Sequence, residues 1–282
     1  MILYKDWGKH LRWGNYAHLL MGLSSFANLT GNKLYLPKDY FAWKYLENPP
    51  EFDENYSVDE VFHFRTTQYS IEELNYILTY FKENKDRNIN VNIGPHLQSL
   101  EWTKYNSDYV KSIMKFKDSE IQRVKDKYAH IFNKKVIGIG IRRGDFINHG
   151  CFYQIPLDWY LRALKAEFSD WEQCNILFFS DHVEEIKNLF KGSNFFYADA
   201  NGTHTHADNF IHYHKDPMEQ FILGTLCQGF IAGQSTFNWH QMRYVHDNGY
   251  KVVHAGVNTI GSCDKEHPNP DFYPKSWTLH KI

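Results

Sequence analysis

The stretch from Val136 to Asp145 constrains the fold more than any other part of the chain. Its first six residues, Val136–Ile141, are β-branched residues and glycines, a composition typical of a parallel strand buried on both faces. The run then breaks into two arginines, a glycine and an aspartate. Ligands of open α/β sheets bind beyond the carboxyl ends of such strands, and arginine binds phosphate oxygens in a bidentate manner. The stretch therefore predicts a central strand with a pyrophosphate site at its end or, alternatively, a strand end with a surface Arg–Asp pair.

Strand and helix patterns alternate through the rest of the second half. Apolar runs at Asn175–Phe179 and Gly229–Ala232 predict buried strands, and helices are expected to begin near Pro156 and Thr236. Strands that are regularly separated by helices predict a parallel, doubly wound sheet.

The N-terminus shows a shorter pattern of the same kind. A strand is expected at Ile2–Tyr4, a helix at Tyr16–Ala27 and a strand at Lys33–Pro37, which together make a βαβ unit. Gly14 and Asn15 lie in the predicted loop before this helix. Such a loop favours anions, although the residues alone favour a plain tight turn.

The two patterns predict two α/β domains with a boundary near Phe132. Residues 1–132 are expected to form an N-terminal α/β domain, which carries the Gly14-Asn15 loop. Residues 133–282 are expected to form a Rossmann-like domain.

Three polar loops follow predicted strands of the second domain: Arg142–Asp145, Ser180-Asp181 and Gly233–Thr236. Because the carboxyl ends of parallel strands meet at one edge of a sheet, these loops should converge. The last loop precedes a helix, whose free N–H groups can hold a phosphate. Helix capping alone would also explain Ser235 and Thr236. Together the three loops favour a nucleotide site.

Composition narrows the class of protein. The chain has 282 residues and a formal net charge of −2, so no overall basic field favours nucleic acid or an anionic membrane. Its four cysteines lack CxxC spacing, which favours reduced thiols. A charged residue occurs too early for a signal peptide, and no apolar run approaches membrane-spanning length. We expect a soluble cytoplasmic protein of bacterial or viral type; its oligomeric state stays open.

Motifs for other chemistries are missing from the sequence. It contains no G-x-x-x-x-G-K-[ST], H-E-x-x-H, G-x-S-x-G or G-x-G-x-x-G motif. The segments His204–His206 and His212–His214 could gather imidazoles, but no carboxylate or cysteine completes an obvious ligand set. We expect these histidines to lie in solvent-exposed loops and to bind no metal. The absence of an Asp-x-Asp sequence also disfavours a metal-bound nucleotide sugar.

Ile139–Asp145 resembles the H-x-R-R-x-D motif of α-1,2- and α-1,6-fucosyltransferases and protein O-fucosyltransferases, above all that of glycosyltransferase family 11, the α-1,2-fucosyltransferases. The resemblance spans nearly the whole chain. Further stretches that resemble family motifs, in the family's order, are Arg12–Ala17, His96–Glu101, His149-Gly150, Leu157–Tyr160, Phe179–Asp181, Ser235–Trp239 and Asp271–Trp277.

The resemblance implies a GT-B-like fold of two Rossmann-like domains, with residues 1–132 on the acceptor side and residues 133–282 binding the GDP-sugar. It also implies GDP-β-L-fucose as co-substrate, inversion at the anomeric carbon, and neither metal nor cofactor. It implies that Arg142 grips the β-phosphate and stabilises the leaving group, with Arg143 beside it in the donor site. By the same resemblance, Ser235, Thr236 and Phe237 would line the phosphate. Gly14 and Asn15 would close over it. Asp181, with Asp216 or Glu219, would contact the nucleoside. Asp145 and His149 are the nearest candidates for the general base.

Three positions depart from the family pattern. Gly140 stands at the motif histidine, Tyr16 at a glutamine of the opening motif, and His240 at the second tryptophan of the Ser235–Trp239 stretch. The sequence predicts transfer of L-fucose from GDP-fucose to a sugar hydroxyl of a glycan acceptor, with α-1,2 linkage to a galactoside expected. Two alternatives stay open: another GDP-deoxyhexose donor, such as GDP-rhamnose, or a catalytically inactive module that binds a nucleotide or a glycan.

Overall fold

The computed structural model describes residues 1–4, 13–38, 40–49, 57–64, 71–93, 107–150, 152–198, 217–257 and 272–282. The chain divides into two compact units. The first unit comprises residues 1–117 and 266–272, and the second comprises residues 118–265 and 273–282. The division falls some residues before Phe132, where the sequence places the boundary.

The first unit contains a parallel sheet flanked by helices. Its strands are β1 (Ile2–Leu3), β2 (Leu34–Tyr35), β3 (Glu60–Phe64) and β4 (Ile89–Ile93), and its helices are α1 (Trp13–Thr30), α2 (Ile71–Glu83) and α3 (Ser107–Ile113). The strand order is β2-β1-β4-β3, and the paired strands are parallel.

Helix α1 begins earlier than the sequence predicts. Gly14 and Asn15 lie in its first turn, so the expected loop at these residues is wrong. The side chain of Trp13 is 1% exposed, and burial of an indole ring outweighs the weak helix propensity of a following glycine. The helix is buried along most of its length, as expected for one that is apolar on several faces.

The second unit is a doubly wound sheet, as predicted. Its strands are β5 (Val136–Ile141), β6 (Asn175–Ser180), β7 (Phe195–Tyr197), β8 (Phe230–Ala232), β9 (Val252–His254) and β10 (Thr278–Leu279), and its helices are α4 (Asp118–Lys127), α5 (Leu157–Glu167), α6 (Val183–Leu189), α7 (Pro217–Thr225) and α8 (Thr236–Asp247). The strand order is β10-β9-β8-β5-β6-β7, and the paired strands are parallel.

Strand β5 lies at the centre of this sheet, and all six of its residues are buried. The chain proceeds from β5 outward through β6 and β7, then returns to the other side of β5 for β8 and β9. The strand order thus reverses between β5 and β8. Open α/β sheets bind ligands at such a switch point, outside the carboxyl ends of the strands. The loops after β5 and β8 flank that point.

Helix α4 joins the second unit through the carboxylate of Glu219, in the first turn of α7. Glu219 Oε1 accepts hydrogen bonds from Lys127 Nζ at 2.6 Å and from Tyr128 Oη at 2.8 Å, and Oε2 accepts one from Arg123 Nη1 at 2.8 Å. We call these four residues the Glu219 network. Burial raises the pKa of Glu219, but the hydrogen bonds from Lys127, Arg123 and Tyr128 outweigh it and lower the pKa to about 2.

None of the helices in the described part of the chain is long and apolar enough to cross a lipid bilayer.

Candidate functional site

The loop after β5 is held by a carboxylate from the neighbouring strand. Ile141 pairs with Ser180 in the sheet, so the next residues of the two strands, Arg142 and Asp181, lie side by side. Arg142 Nη1 is 2.6 Å from Asp181 Oδ2, and the backbone N–H of Arg143 donates to Asp181 Oδ1 at 2.8 Å. Asp181 thus fixes both arginines at the carboxyl edge of the sheet. We call residues 142–144 the arginine loop.

Gly144 is required by this arrangement. Its φ is +20°, which L side chains rarely adopt, and a Cβ atom there would lie 2.3 Å from Asp181 Oδ2. A side chain at this position would therefore push the carboxylate away from Arg142. The glycine of the sequence motif is explained by the close approach of Asp181.

The Arg142 guanidinium has an aromatic side chain as well as a carboxylate next to it. Its Cζ lies 5.2 Å from the centre of the Phe146 ring, within the range of a cation–π contact. Phe146 stacks on Phe152 with ring centres 3.7 Å apart. The Arg142 side chain is 16% exposed. A guanidinium fixed in this way is oriented but still accessible.

Arg143 points to a different partner. Its Nε and Nη2 donate to the two carboxylate oxygens of Glu185, in α6, at 3.2 and 2.7 Å. This bidentate pair is the strong form of the Arg–carboxylate interaction. Its geometry ties the arginine loop to α6, and a donor contact from Arg143 stays a prediction.

The loop after β8 leads directly into α8. Ser235 is the N-cap of α8, and its Oγ accepts a hydrogen bond from the backbone N–H of Asn238 at 3.5 Å. The buried side chain of Gln234 donates from Nε2 to the Tyr153 carbonyl, which fixes the loop against the segment before α5. Phe237 packs edge-to-face on Phe221 of α7, with ring centres 5.1 Å apart. The positive end of the α8 dipole therefore lies at the switch point.

Asn238 is a residue that the sequence does not single out. It packs against Gly140 of β5, where a Cβ atom would lie only 2.4 Å from Asn238 Cγ. Its Nδ2 donates to Gln241 Oε1 at 2.8 Å, and Gln241 Nε2 donates to the Gln220 carbonyl of α7 at 3.0 Å. These two hydrogen-bonded side chains form a chain of amides. Its one signal in the sequence is an asparagine and a glutamine three residues apart, in a helix that has other buried positions.

The C-terminal segment packs on α8 and on the end of β9. The indole of Trp277 lies 5.2 Å from that of Trp239. Tyr273 stacks on His254, with ring centres 4.1 Å apart, and His254 Nδ1 accepts a hydrogen bond from the Gly256 N–H at 3.1 Å. Burial lowers the pKa of His254 to about 4. This imidazole is therefore neutral at pH 7.

The remaining predicted residues are distributed as follows. The His149 side chain is exposed, and its ring lies 4.9 Å from that of Phe152, on the segment that follows the arginine loop. Glu219 is engaged in the Glu219 network, so the nucleoside contact that the resemblance allows for it competes with three hydrogen bonds. Gly14 and Asn15 lie in the first unit. The predicted features outside the described residues are the Asp145 side chain, Arg12, 96–101, 204–206, 212–214, Asp216 and Asp271.

No protein-family model matches the chain, and no curated protein sequence matches it. Solved structures do. A variant of Arabidopsis thaliana FUT1 in complex with GDP matches with a TM-score of 0.54 and 10% identity, over 90% of this chain and 69% of that one. NodZ α-1,6-fucosyltransferase co-crystallised with GDP matches with a TM-score of 0.51 and 14% identity, over 87% and 91% of the two chains. POFUT1 in complex with GDP-fucose matches with a TM-score of 0.52 and 11% identity, over 91% and 95%.

These similarities confirm the predicted fold class. The chain is an α/β protein with two parallel sheets, and its fold is that of the GT-B fucosyltransferases. Identities of 10 to 14% show the fold alone, so family and function stay predictions.

Proposed function

We propose that the protein is a fucosyltransferase that uses GDP-fucose as its donor and a glycan hydroxyl as its acceptor. One observation carries the proposal: at the switch point, Arg142 is oriented by Asp181 beside the N-terminus of α8. A fixed guanidinium and the free N–H groups of a helix start suit a diphosphate. The structural neighbours include proteins solved with GDP and with GDP-fucose, which supports this donor class.

The proposed reaction is an inverting displacement. The acceptor oxygen forms a bond to the anomeric carbon of fucose while the bond from that carbon to the β-phosphate oxygen breaks, and GDP departs. The acceptor hydroxyl gives its proton to a general base, for which Asp145 and His149 are the candidates. Negative charge develops on the β-phosphate, and groups already aimed at that charge lower the barrier most.

Arg142 and the helix start are the groups that meet this charge. The planar guanidinium can bind two phosphate oxygens at once. The α8 N-terminus adds roughly half a positive charge, with the backbone N–H groups of Thr236 and Phe237 among its donors. With that charge supplied by the protein, the proposed mechanism uses no metal. Asp181 orients the arginine loop in this mechanism, in addition to the nucleoside contact predicted from the sequence.

The acceptor is the part of the proposal that rests on the resemblance alone. Family 11 membership would make the product an α-1,2-linked fucose on a galactoside. A second donor, another GDP-deoxyhexose, is favoured by one observation: the motif histidine is replaced by Gly140, against which the Asn238 amide packs. A changed contact in the donor site is a physical reason for a changed donor.

A small ligand panel tests the proposal. Thermal stabilisation and donor turnover would be measured with GDP, UDP, GDP-fucose, GDP-mannose and GDP-rhamnose, each with and without EDTA. We expect stabilisation by GDP but not UDP, and EDTA-resistant turnover of GDP-fucose. Turnover of GDP-rhamnose instead would select the second donor. Binding of GDP without any turnover would favour the inactive binding module, and no response to GDP would refute the assignment of a GDP-sugar site.

A further inference from the structure

The starting observation is the amide group packed on Gly140. Gly140 lies near the end of β5, and Arg142 is the first residue after that strand. The two residues are therefore at most about 7 Å apart along the chain. A Cβ atom at Gly140 would lie 2.4 Å from Cγ and 2.8 Å from Oδ1 of Asn238. The Asn238 side chain therefore occupies the space that a side chain at position 140 would take. This position is two residues before Arg142, the phosphate-binding arginine of the proposed function.

The hydrogen bonds fix which end of this amide is available. Gln241 Nε2 contacts the carbonyls of Gln220 and Phe221 in α7, at 3.0 and 3.4 Å. Carbonyls only accept, so Gln241 must present its nitrogen to α7 and its Oε1 to Asn238. Asn238 must in turn donate from Nδ2 to Gln241 Oε1, at 2.8 Å. The free end of the chain of amides is Asn238 Oδ1, which can only accept.

This oxygen has no hydrogen-bond partner on the protein among the described residues. Asn238 is 6% exposed, and its Oδ1 accepts no hydrogen bond from any residue that the structure describes. Oδ1 is also not sealed from solvent, unlike the buried oxygen Oε1 of Gln234 in the preceding loop. An oriented acceptor at the edge of a site is suited to a ligand that donates.

We propose that Asn238 is a donor-binding residue whose Oδ1 accepts a hydrogen bond from a hydroxyl or N–H group of the GDP-sugar. The inference rests on the proposed function. A phosphate oxygen is ruled out as its partner because both atoms would be acceptors. The contact therefore discriminates among nucleosides or sugars, and the phosphate is bound by Arg142. Gly140 is needed for the same contact, since any larger residue there displaces the Asn238 amide.

The test is a set of binding measurements on the full chain: the Kd of GDP and the KM of GDP-fucose for wild type, Asn238→Ala, Asn238→Ser, Gly140→Ala and the double variant Gly140→Ala/Asn238→Ala. We expect each single variant to weaken binding about three- to tenfold, the usual size for one neutral hydrogen bond. The double variant should be no worse than Asn238→Ala, because both changes remove the same contact. Weaker GDP binding would place the partner group on the nucleoside; a raised KM with unchanged GDP binding would place it on the sugar.

Asn175→Ala is the matched control. Asn175 is also a buried amide of this sheet, and its Nδ2 donates at 2.6 Å to the Ile131 carbonyl, at the amino end of β6. Its loss should lower the melting temperature without changing GDP affinity. The inference is overturned if wild type binds GDP and the Asn238 variants bind GDP and GDP-fucose as well as wild type or Asn175→Ala does. The proposed function would then still stand. If wild type binds no GDP, both fail. Should Asn238→Ala not fold, Asn238→Ser and Gly140→Ala carry the test.

Discussion

Two of the carboxylate–cation clusters in the second unit, the Glu219 network and the arginine loop, differ in how many hydrogen bonds the carboxylate accepts. In the Glu219 network, both oxygens accept aligned hydrogen bonds from charged or hydroxyl donors. At the arginine loop, Asp181 Oδ1 accepts one from the backbone, while Oδ2 is buried and accepts no aligned hydrogen bond from the described residues. Its 2.6 Å contact with Arg142 Nη1 is therefore an ion pair without good hydrogen-bond geometry.

This difference separates a structural cluster from a candidate binding cluster. Glu219 links two helices through three hydrogen bonds, so its main effect should appear in stability. The arginine loop lies at an open sheet edge, where Arg142 keeps part of its surface exposed and only part of its donor capacity is used by Asp181. Its main effect should appear in ligand binding and turnover. Variants at the two places can break or sharpen this comparison.

The largest effect is expected from Arg142→Ala. If Arg142 meets the charge of the departing GDP, its loss should lower kcat/KM at least about 100-fold, the scale of removing one fixed electrostatic donor. Steady-state kinetics with GDP-fucose would measure this, and the melting temperature would show that the fold survives. Arg142→Lys should restore little, because an ammonium cannot make the bidentate contact.

Arg143→Ala is the matched control for that prediction. Arg143 carries the same charge one residue away but is paired with Glu185 through two hydrogen bonds. We expect a smaller loss of turnover than for Arg142→Ala, and a loss of stability no larger, because Glu185 is 34% exposed and Asp181 only 6%. Near-normal turnover of Arg142→Ala would remove the arginine loop from the mechanism, and equal losses in both variants would show that the loop acts only as a structural unit.

The second effect is that of Asp181→Asn, which removes the charge but keeps the size of the side chain. The Asp181 side chain is 6% exposed, and breaking a buried pair leaves the other charge poorly compensated. We expect a loss of about 2–3 kcal/mol in the free energy of unfolding, measured in urea. Turnover should fall as well, with a raised KM, because Arg142 loses its orientation. Unchanged stability would mean that the pair is solvated and that the two places do not differ as described.

Much of this arrangement can be predicted from the sequence. The six apolar or glycine residues of β5, followed at once by Arg142, permit little but a buried parallel strand with polar groups at its end. Convergence of Arg142, Asp181 and Ser235 then follows from topology, since the carboxyl ends of parallel strands share an edge. These inferences need only local patterns and a general rule of chain connection.

Other features depend on contacts that local patterns do not carry. The partner of Arg143 is Glu185 because α6 packs beside the loop, which no spacing in the sequence reveals. The Asn238 side chain packs against Gly140, and this contact depends on how α8 is positioned against β5. The start of α1 was misplaced because burial of Trp13, a tertiary effect, decides where the helix begins.

The third effect belongs to the Glu219 network. Glu219→Gln should cost about 1–2 kcal/mol in the free energy of unfolding at pH 7, since its cationic partners are partly exposed. Kinetic constants with GDP-fucose should not change. The pKa of Glu219 is lowered to about 2 in the folded protein, so its stabilising effect is complete above the unfolded pKa of about 4.5 and is lost as the pH falls toward 2. The difference between wild type and variant should therefore shrink between pH 5 and pH 3.

The matched control for Glu219 is Glu184→Gln. Among the residues that the structure describes, Glu184 pairs only with Lys187 Nζ, at 2.7 Å, and its side chain is 78% exposed. Such a pair contributes at most a few tenths of a kcal/mol on a helix surface, so the control should lie within error of wild type. A loss of turnover in Glu219→Gln at unchanged stability would reverse the comparison, because it would make Glu219 a ligand contact, as the sequence resemblance allows.

The last effect is absent at pH 7 and appears only on acidification: a pH dependence of stability at the carboxyl end of β9, on the same edge of the sheet as the arginine loop. Burial lowers the pKa of His254 to about 4, so folding favours the neutral imidazole. Its contribution is complete above the unfolded pKa of about 6.5 and is lost as the pH falls from 6.5 toward 4, at roughly 1 kcal/mol per pH unit. His254→Phe keeps the stacking on Tyr273 but cannot titrate, so urea unfolding between pH 7 and pH 5 should show a shallower decline for the variant. Parallel declines would mean that His254 is charged in the folded protein, and this edge of the sheet would then hold a second cation beside Arg142.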